Sequence, residues 1–193
     1  MSDPASAVPA APLRPERRTI ALIGLMGVGK STVGRRLAGR LNLPFVDGDA
    51  EIEAAAGMSI PEIFAQLGEP EFRAGEARVM KRLLEGPPIV LATGGGAVLN
   101  PDTRTLMKRR AISVWLRAEL PVIAERVSRR DTRPLLRGRD PLEALSTLAE
   151  ARYPIYAEAD VVVDVGEGAH GQAVAAVISA LDAFRARHPG VSW

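Results

Sequence analysis

The sequence predicts one α/β domain in which five parallel strands are wrapped by helices, and three observations predict it. Short apolar, β-branched runs alternate with segments of helical spacing from Thr19 to Arg185, a succession that calls for a parallel sheet with right-handed crossovers. Two of the runs pass straight into glycine-rich turns, at Gly24–Lys30 and Gly94–Gly96. Small residues thus lie at the carboxyl ends of strands, where open α/β sheets receive their ligands. At 193 residues, 47% of them hydrophobic, the chain suffices for one well-buried core and is cramped for two.

Each element follows from its local pattern. Thr19–Ile23 is the first strand, and Lys30–Leu41 is a helix with Val33, Leu37 and Leu41 on one face. Leu43–Val46 is the second strand. Ser59 and Glu62 form a capping box with Pro61 in the first turn. Gly68 ends that short helix, and Glu69–Leu84 forms a longer one. Ile89–Ala92 is the third strand. Asn100-Pro101 caps a further helix, Ile112–Leu116 is the fourth strand, and Leu120–Arg130 is helical. Val161–Val165 is the fifth strand, followed by a helix over Gln172–Arg185 with Val174, Val177, Ile178 and Leu181 turned inward. Met1–Pro15 is rich in Ala and Pro with no continuous apolar core, so it does not read as a secretory signal. Residues 1–17 are expected to be a flexible tail, and 18–193 the folded domain.

Composition narrows the chemistry. There are no cysteines, which excludes disulfides, thiolate metal sites and cysteine nucleophiles. The longest apolar runs are strand-length, so no membrane span is expected and a cytoplasmic location follows. The formal charge is +2, with a cluster of arginines at Arg126, Arg129, Arg130, Arg133, Arg137 and Arg139. Such a cluster suits phosphate ligands as well as nucleic acid. Aromatics make up only 4% of the chain and none are interleaved for base stacking, so no nucleic-acid partner is expected.

Gly24-Leu25-Met26-Gly27-Val28-Gly29-Lys30-Ser31 matches GxxxxGK[ST] at every fixed position, between a strand and a helix. Glycines let the backbone N–H groups of such a loop turn toward phosphate oxygens, and the following helix adds its positive end. Gly27, Val28, Gly29, Lys30, Ser31 and Thr32 are therefore candidate nucleotide contacts, with Lys30 a charge for the β- and γ-phosphates and the Ser31 hydroxyl a Mg²⁺ ligand. The loop establishes nucleotide binding but is shared by GTPases, ATPases and kinases.

Asp47-Gly48-Asp49 puts two carboxylates at the end of the second strand, and strand alternation would turn both the same way. One can serve the Mg²⁺ shell while Asp49 orients an acceptor hydroxyl and receives its proton. The plain alternative is that Asp49 caps the next helix. Arg73 has Glu76 three residues on, a pair that is either a surface ion pair or a means of aiming the guanidinium. If Arg152 faces the same crevice, the two arginines form a clamp for a carboxylate. Gly94, Gly95 and Gly96 offer bare N–H groups and tolerate positive φ. The Arg-rich segment about 130–141 is equally a solvated loop or a lid, and Asp140-Pro141 with Glu143 then restarts a helix with good capping chemistry.

Together these segments resemble the shikimate kinase family. The matching stretches are Gly24–Thr32, Asp47–Asp49, Ser59–Phe64, Gly68-Glu69, Glu71–Arg73 with Glu76, Gly94–Gly96, Arg133–Leu136, and Arg152 with Tyr156, in the family's order and spacing. The resemblance implies the P-loop NTPase-type fold of the nucleoside-monophosphate-kinase kind, with substrate-binding helices about 49–84 and a lid about 130–141. It implies ATP-dependent phosphorylation of the shikimate 3-hydroxyl, with Mg²⁺. Asp49, Arg73, Arg152 and the glycine triplet would hold shikimate, and Lys30 and Arg133 would stabilise the transferring phosphoryl group. Ser31 and Asp47 would organise Mg²⁺, and Arg126 and Arg130 would lie near adenine. A monomer is expected, without nucleic-acid or membrane partners. Gly75, inside the long helix, departs from helix preference at a cost of roughly 0.5–1 kcal/mol against Ala. The alternatives are another small-molecule kinase, such as a gluconate kinase, or a non-catalytic nucleotide-binding regulator.

Overall fold

The computed structural model describes residues 16–128, 140–166 and 170–193. In chain order these form β1 (Glu16–Arg17), β2 (Thr19–Ile23), α1 (Lys30–Leu41), β3 (Phe45–Asp47), α2 (Gly48–Ala56), α3 (Ile60–Gln66), α4 (Gly68–Glu85) and β4 (Val90–Ala92). A 3₁₀ turn at Ala97–Leu99 leads to α5 (Pro101–Arg110), β5 (Ala111–Arg117), α6 (Leu120–Ser128), α7 (Pro141–Tyr156), β6 (Val161–Asp164), α8 (His170–Arg187) and β7 (Val191–Ser192).

Five strands make one parallel sheet in the order β3-β4-β2-β5-β6. The hydropathy of each strand follows its place in that order. β2 is central and all five of its residues are buried, as expected for a parallel strand covered on both faces. β6 lies at the edge and alternates buried with exposed residues, which leaves Val162 43% exposed. α1 packs on α8, α4 on α5, and α6 on α7. Leu37 of α1 and Leu181 of α8 are fully buried, each contributing roughly 1.5–3 kcal/mol by removing its side chain from water.

The caps that the sequence predicts are present. Ser59 accepts from the Glu62 amide while the Glu62 carboxylate accepts from the Ser59 amide at 2.8 Å. Asn100 accepts from the amides of Asp102 and Thr103, and Asp140 accepts from that of Glu143.

Three local expectations are corrected. The second strand is Phe45–Asp47 rather than Leu43–Val46, and α2 starts at the next residue. Asp49 therefore sits in a helical first turn, so strand alternation does not set its direction; Asp47, not Asp49, is the cap, accepting from the Asp49 amide at 3.1 Å. Glu16 and Arg17, expected at the end of a flexible tail, pair in parallel with Val191 and Ser192. The chain beyond α8 thus returns to the start of the fold, and the Arg18 amide donates to the Ser192 carbonyl at 2.8 Å. Short β-ladders between chain ends carry no hydropathy signal of their own, which is why this pairing is not apparent in the sequence.

Candidate active site

The carboxyl ends of β2, β3 and β4 lie side by side and deliver three short segments to one edge of the sheet. From β2 comes the phosphate-type loop. Gly24, Gly27 and Gly29 have φ of 139°, 79° and 102°, a region that a side chain strains. Space is short as well: a Cβ on Gly24 would lie 2.5 Å from the Leu116 carbonyl oxygen, and one on Gly27 would lie 2.5 Å from Val127 of α6. Val28 is buried beneath the loop. Gly29 caps α1 without a side-chain acceptor, so the amides of that first turn, including those of Ser31 and Thr32, are available for an anion. The Lys30 ammonium arches back over the loop and donates to the carbonyls of Gly24 and Leu25 at 2.9 and 3.0 Å.

From β3 comes Asp47, whose carboxylate accepts from the Ser31 hydroxyl at 2.5 Å through one oxygen and from the Asp49 amide through the other. Ser31 and Asp47 thus place two hard oxygen donors together at the mouth of the loop. Among the described residues no group of three or more acidic or His side chains is arranged to hold a metal. That donor set fits Mg²⁺, which usually takes one or two protein oxygens and fills the rest of its octahedron with phosphates and waters.

From β4 comes the glycine triplet. None of the three glycines has positive φ; what the site needs from them is space. A Cβ on Gly94 would fall 2.9 Å from Asp49 Oδ1 and 2.7 Å from Glu76 Oε1. On Gly95 it would fall 3.0 Å from Arg152 Nη1, and on Gly96 2.4 Å from Arg73 Nη1. Each glycine makes room for polar side chains that the sequence singles out, Gly94 for two and the others for one guanidinium each. Gly95 also approaches the Gly24 carbonyl, so the strip touches the neck of the phosphate loop.

The arginines are held from behind. Arg73 donates to Glu76 at 2.8 Å and to Glu69 through both Nε and Nη2, and its guanidinium lies 5.0 Å from the centre of the Phe72 ring. The pair with Glu76 is therefore no surface ion pair, since Glu76 is only 3% exposed. Burial works against the Arg73 charge, but Glu76 and Glu69 outweigh it and raise its pKa. Burial also pushes the Glu76 carboxyl up; Arg73 pulls it down, Asp49 adds to the rise, and Arg152 opposes it. Arg152 is 5% exposed although it sits on α7, so it does not serve as a solubilising surface charge. Met26, Ile60, Phe64 and Phe72 complete the pocket with an apolar wall. Phe64 and Phe72 pack with ring centres 4.7 Å apart.

The structure therefore brings together Lys30, Ser31, Asp47, Asp49, Arg73, Arg152 and the triplet. Arg126 lies apart from the acceptor pocket, donating to the Gly166 carbonyl at 2.8 Å. Arg130, Arg133 and the lid segment up to residue 139 lie outside the described residues. The apolar wall is what residue-by-residue reading misses. Its signal is the Ile60/Phe64 spacing on α3 beside Phe72, which reads equally well as ordinary core.

A family model described as shikimate kinase matches residues 26–182. This chain belongs to the shikimate kinase family. It is 62% identical over 171 residues to a shikimate kinase of Caulobacter vibrioides, covering 89% of this chain and 84% of the relative. Among solved structures it resembles shikimate kinase from Acinetobacter baumannii in complex with shikimate, with a TM-score of 0.83 and 37% identity over 86% of this chain and 93% of that one. The Aquifex aeolicus shikimate kinase matches with a TM-score of 0.74 and 40% identity, covering 86% and 96%. A gluconokinase from Sinorhizobium meliloti, at 21% identity and a TM-score of 0.54 over 88% of this chain and 94% of that one, shares the fold alone. The fold is thus the P-loop NTPase type of the nucleoside-monophosphate-kinase kind, and a shikimate kinase is an ATP-dependent phosphotransferase acting on an alcohol group.

Proposed function

We propose that the site transfers the γ-phosphoryl group of ATP to the 3-hydroxyl of shikimate. The observation that carries the assignment of the two halves is the glycine strip. Asp49, Arg152 and Arg73 converge on three consecutive glycines that abut the phosphate loop. Shikimate presents a carboxylate at one end of its ring and hydroxyls at the other, which suits two guanidinium groups opposite one carboxylate. Its apolar ring faces can lie against Phe64 and Phe72.

In this reading the loop amides and Lys30 receive the phosphates. Lys30 gives up its contacts with Gly24 and Leu25 when better acceptors arrive, and its charge then lies where the transferring group becomes electron-rich. Ser31 and Asp47 would hold Mg²⁺, which would offset the negative charge of the phosphates. Asp49 orients the acceptor hydroxyl in line with the phosphorus and takes its proton as the O–P bond forms and the β–γ bridge breaks toward ADP. Glu76, itself out of contact with bulk water, keeps Arg73 aimed. Arg126 serves the nucleotide side. The folded unit acts as one kinase domain with helices about 49–84 on the acceptor side; it works as a cytoplasmic monomer without nucleic-acid or membrane partners. Among the described residues no helix is long and apolar enough to cross a membrane.

The test is the position of the phosphoryl group. ³¹P NMR of a reaction with Mg²⁺, ATP and shikimate should show a phosphomonoester coupled to the ring proton at carbon 3. Phosphate on another hydroxyl, or inorganic phosphate alone, would overturn the placement of Asp49.

A further inference from the structure

We infer that Tyr156 is a positioning residue whose hydroxyl holds the Gly95 carbonyl beside the Arg152 guanidinium and so sets the direction of the carboxylate clamp. This deepens the reading that Arg152 meets the acceptor carboxylate, and rests on it.

Tyr156 is fully buried, and a buried phenol without partners is costly. Its hydroxyl donates a short hydrogen bond to the Gly95 carbonyl, and the Arg152 guanidinium borders the same glycine, so that a Cβ there would lie 3.0 Å from Arg152 Nη1 and 3.6 Å from the hydroxyl. Arg152 and Tyr156 stand one turn apart on α7, where side chains four residues apart meet. Burial pushes the Tyr156 pKa up despite the neighbouring Arg152, so the phenol keeps its proton at neutral pH and remains a donor.

The ring is fixed by its surroundings. Trp115, near the end of β5, packs against Tyr156 with ring centres 5.8 Å apart and against Tyr153 at 5.0 Å. Pro154 lies inside the same stretch of α7 and cannot donate to the carbonyl four residues back. The ring contacts and the bond to Gly95 add to the backbone bonds that close the helix, such as Ala157 N–H to the Tyr153 carbonyl at 2.9 Å. A Cβ on Gly95 would lie 3.0 Å from Arg152 Nη1, 3.6 Å from the Tyr156 hydroxyl and 3.4 Å from the Gly24 carbonyl. Tyr156 thus registers the clamp against the strip that also adjoins the phosphate loop. A group that only filled the core would need no hydroxyl at this point.

The experiment is steady-state kinetics of Tyr156→Phe in the full chain, with shikimate and with its methyl ester, alongside thermal melting. The KM for shikimate should rise roughly tenfold as Gly95 and the Arg152 guanidinium beside it lose their register. The values of kcat and the KM for ATP should stay within about twofold, and the KM for the ester, which has no carboxylate, should not move. A lower Tm with an unchanged shikimate KM would overturn the proposal, leaving Tyr156 a core residue. If the parent enzyme does not distinguish shikimate from the ester, the Arg152 reading fails instead, which is a separate result. Should the Phe variant not fold, Gly95→Ala tests the same contact, and an unchanged shikimate KM there would equally overturn the proposal.

Discussion

The Arg73 guanidinium occupies the place where a side chain on Gly96 would begin: a Cβ there would lie 2.4 Å from Nη1 and 3.0 Å from the central carbon of the guanidinium. Arg73 cannot simply swing away, because Glu76 and Glu69 hold it from the other side. Gly96→Ala is therefore expected to displace the guanidinium and raise the shikimate KM by tenfold or more, equivalent to about 1.4 kcal/mol. Fluorescent-nucleotide titration should show ATP binding unchanged. A normal shikimate KM would mean that Arg73 does not contact the acceptor.

Asp49→Asn keeps the size of the side chain and removes its capacity to take a proton. Turnover should fall by roughly 10²–10⁴, the usual range for a positioned general base, with nucleotide binding retained. Near-normal turnover in a single-turnover measurement would remove Asp49 from proton transfer.

The Ser31 hydroxyl and the Asp47 carboxylate are 2.5 Å apart and are the two oxygen donors proposed for Mg²⁺. Ser31→Ala should shift the Mg²⁺ titration of activity to roughly tenfold higher concentration, within the range seen when metal-site partners are lost. An unshifted titration would assign the pair to holding α2 in place.

Glu76 gives the site a pH signature. Burial raises its folded-state pKa above the ordinary carboxylate value, so the folded chain holds this proton more tightly than the unfolded one. The stability that Glu76 contributes is fully present below the unfolded pKa and is lost as pH rises through the raised folded value. The Tm of the parent relative to Glu76→Gln should therefore decline across that window. Parallel Tm curves from acid to neutral pH would show that Glu76 is not strained by burial.

Ser59 closes both halves of a capping box at the start of α3, which carries Ile60 and Phe64 into the pocket. Ser59→Ala should cost about 1 kcal/mol in urea denaturation. No loss at all would show that tertiary packing alone holds α3.

Most of this architecture is legible in the chain because several signals coincide at each element. Thr19–Ile23 is recognisable as a central strand because it is apolar on both faces and ends at a glycine whose conformation the next turn requires. The caps at Ser59, Asn100 and Asp140 are legible because a side chain satisfying amides two or three residues on is a local interaction. The site residues are legible by type and spacing. Their convergence is not, because Gly94–Gly96 meet Asp49, Arg152 and Arg73 only once β4 lies beside β2 and α7 crosses over. The same limit operates near Asp47 and Gly94. Whether Asp49 continues a strand or starts a helix depends on the Asp47 cap, and whether a glycine serves φ or space depends on neighbours distant in sequence. Tyr156 shows it most plainly, since its one polar atom finds a partner 61 residues away.

Acceptor selection is tested by ADP release with Mg²⁺ and ATP, comparing shikimate, gluconate and no acceptor. Strong turnover with shikimate and only background release in the other two arms is expected. Equal release in all three arms, or preference for gluconate, would contradict it, because the arginine pair and Asp49 would then not be selecting the acceptor.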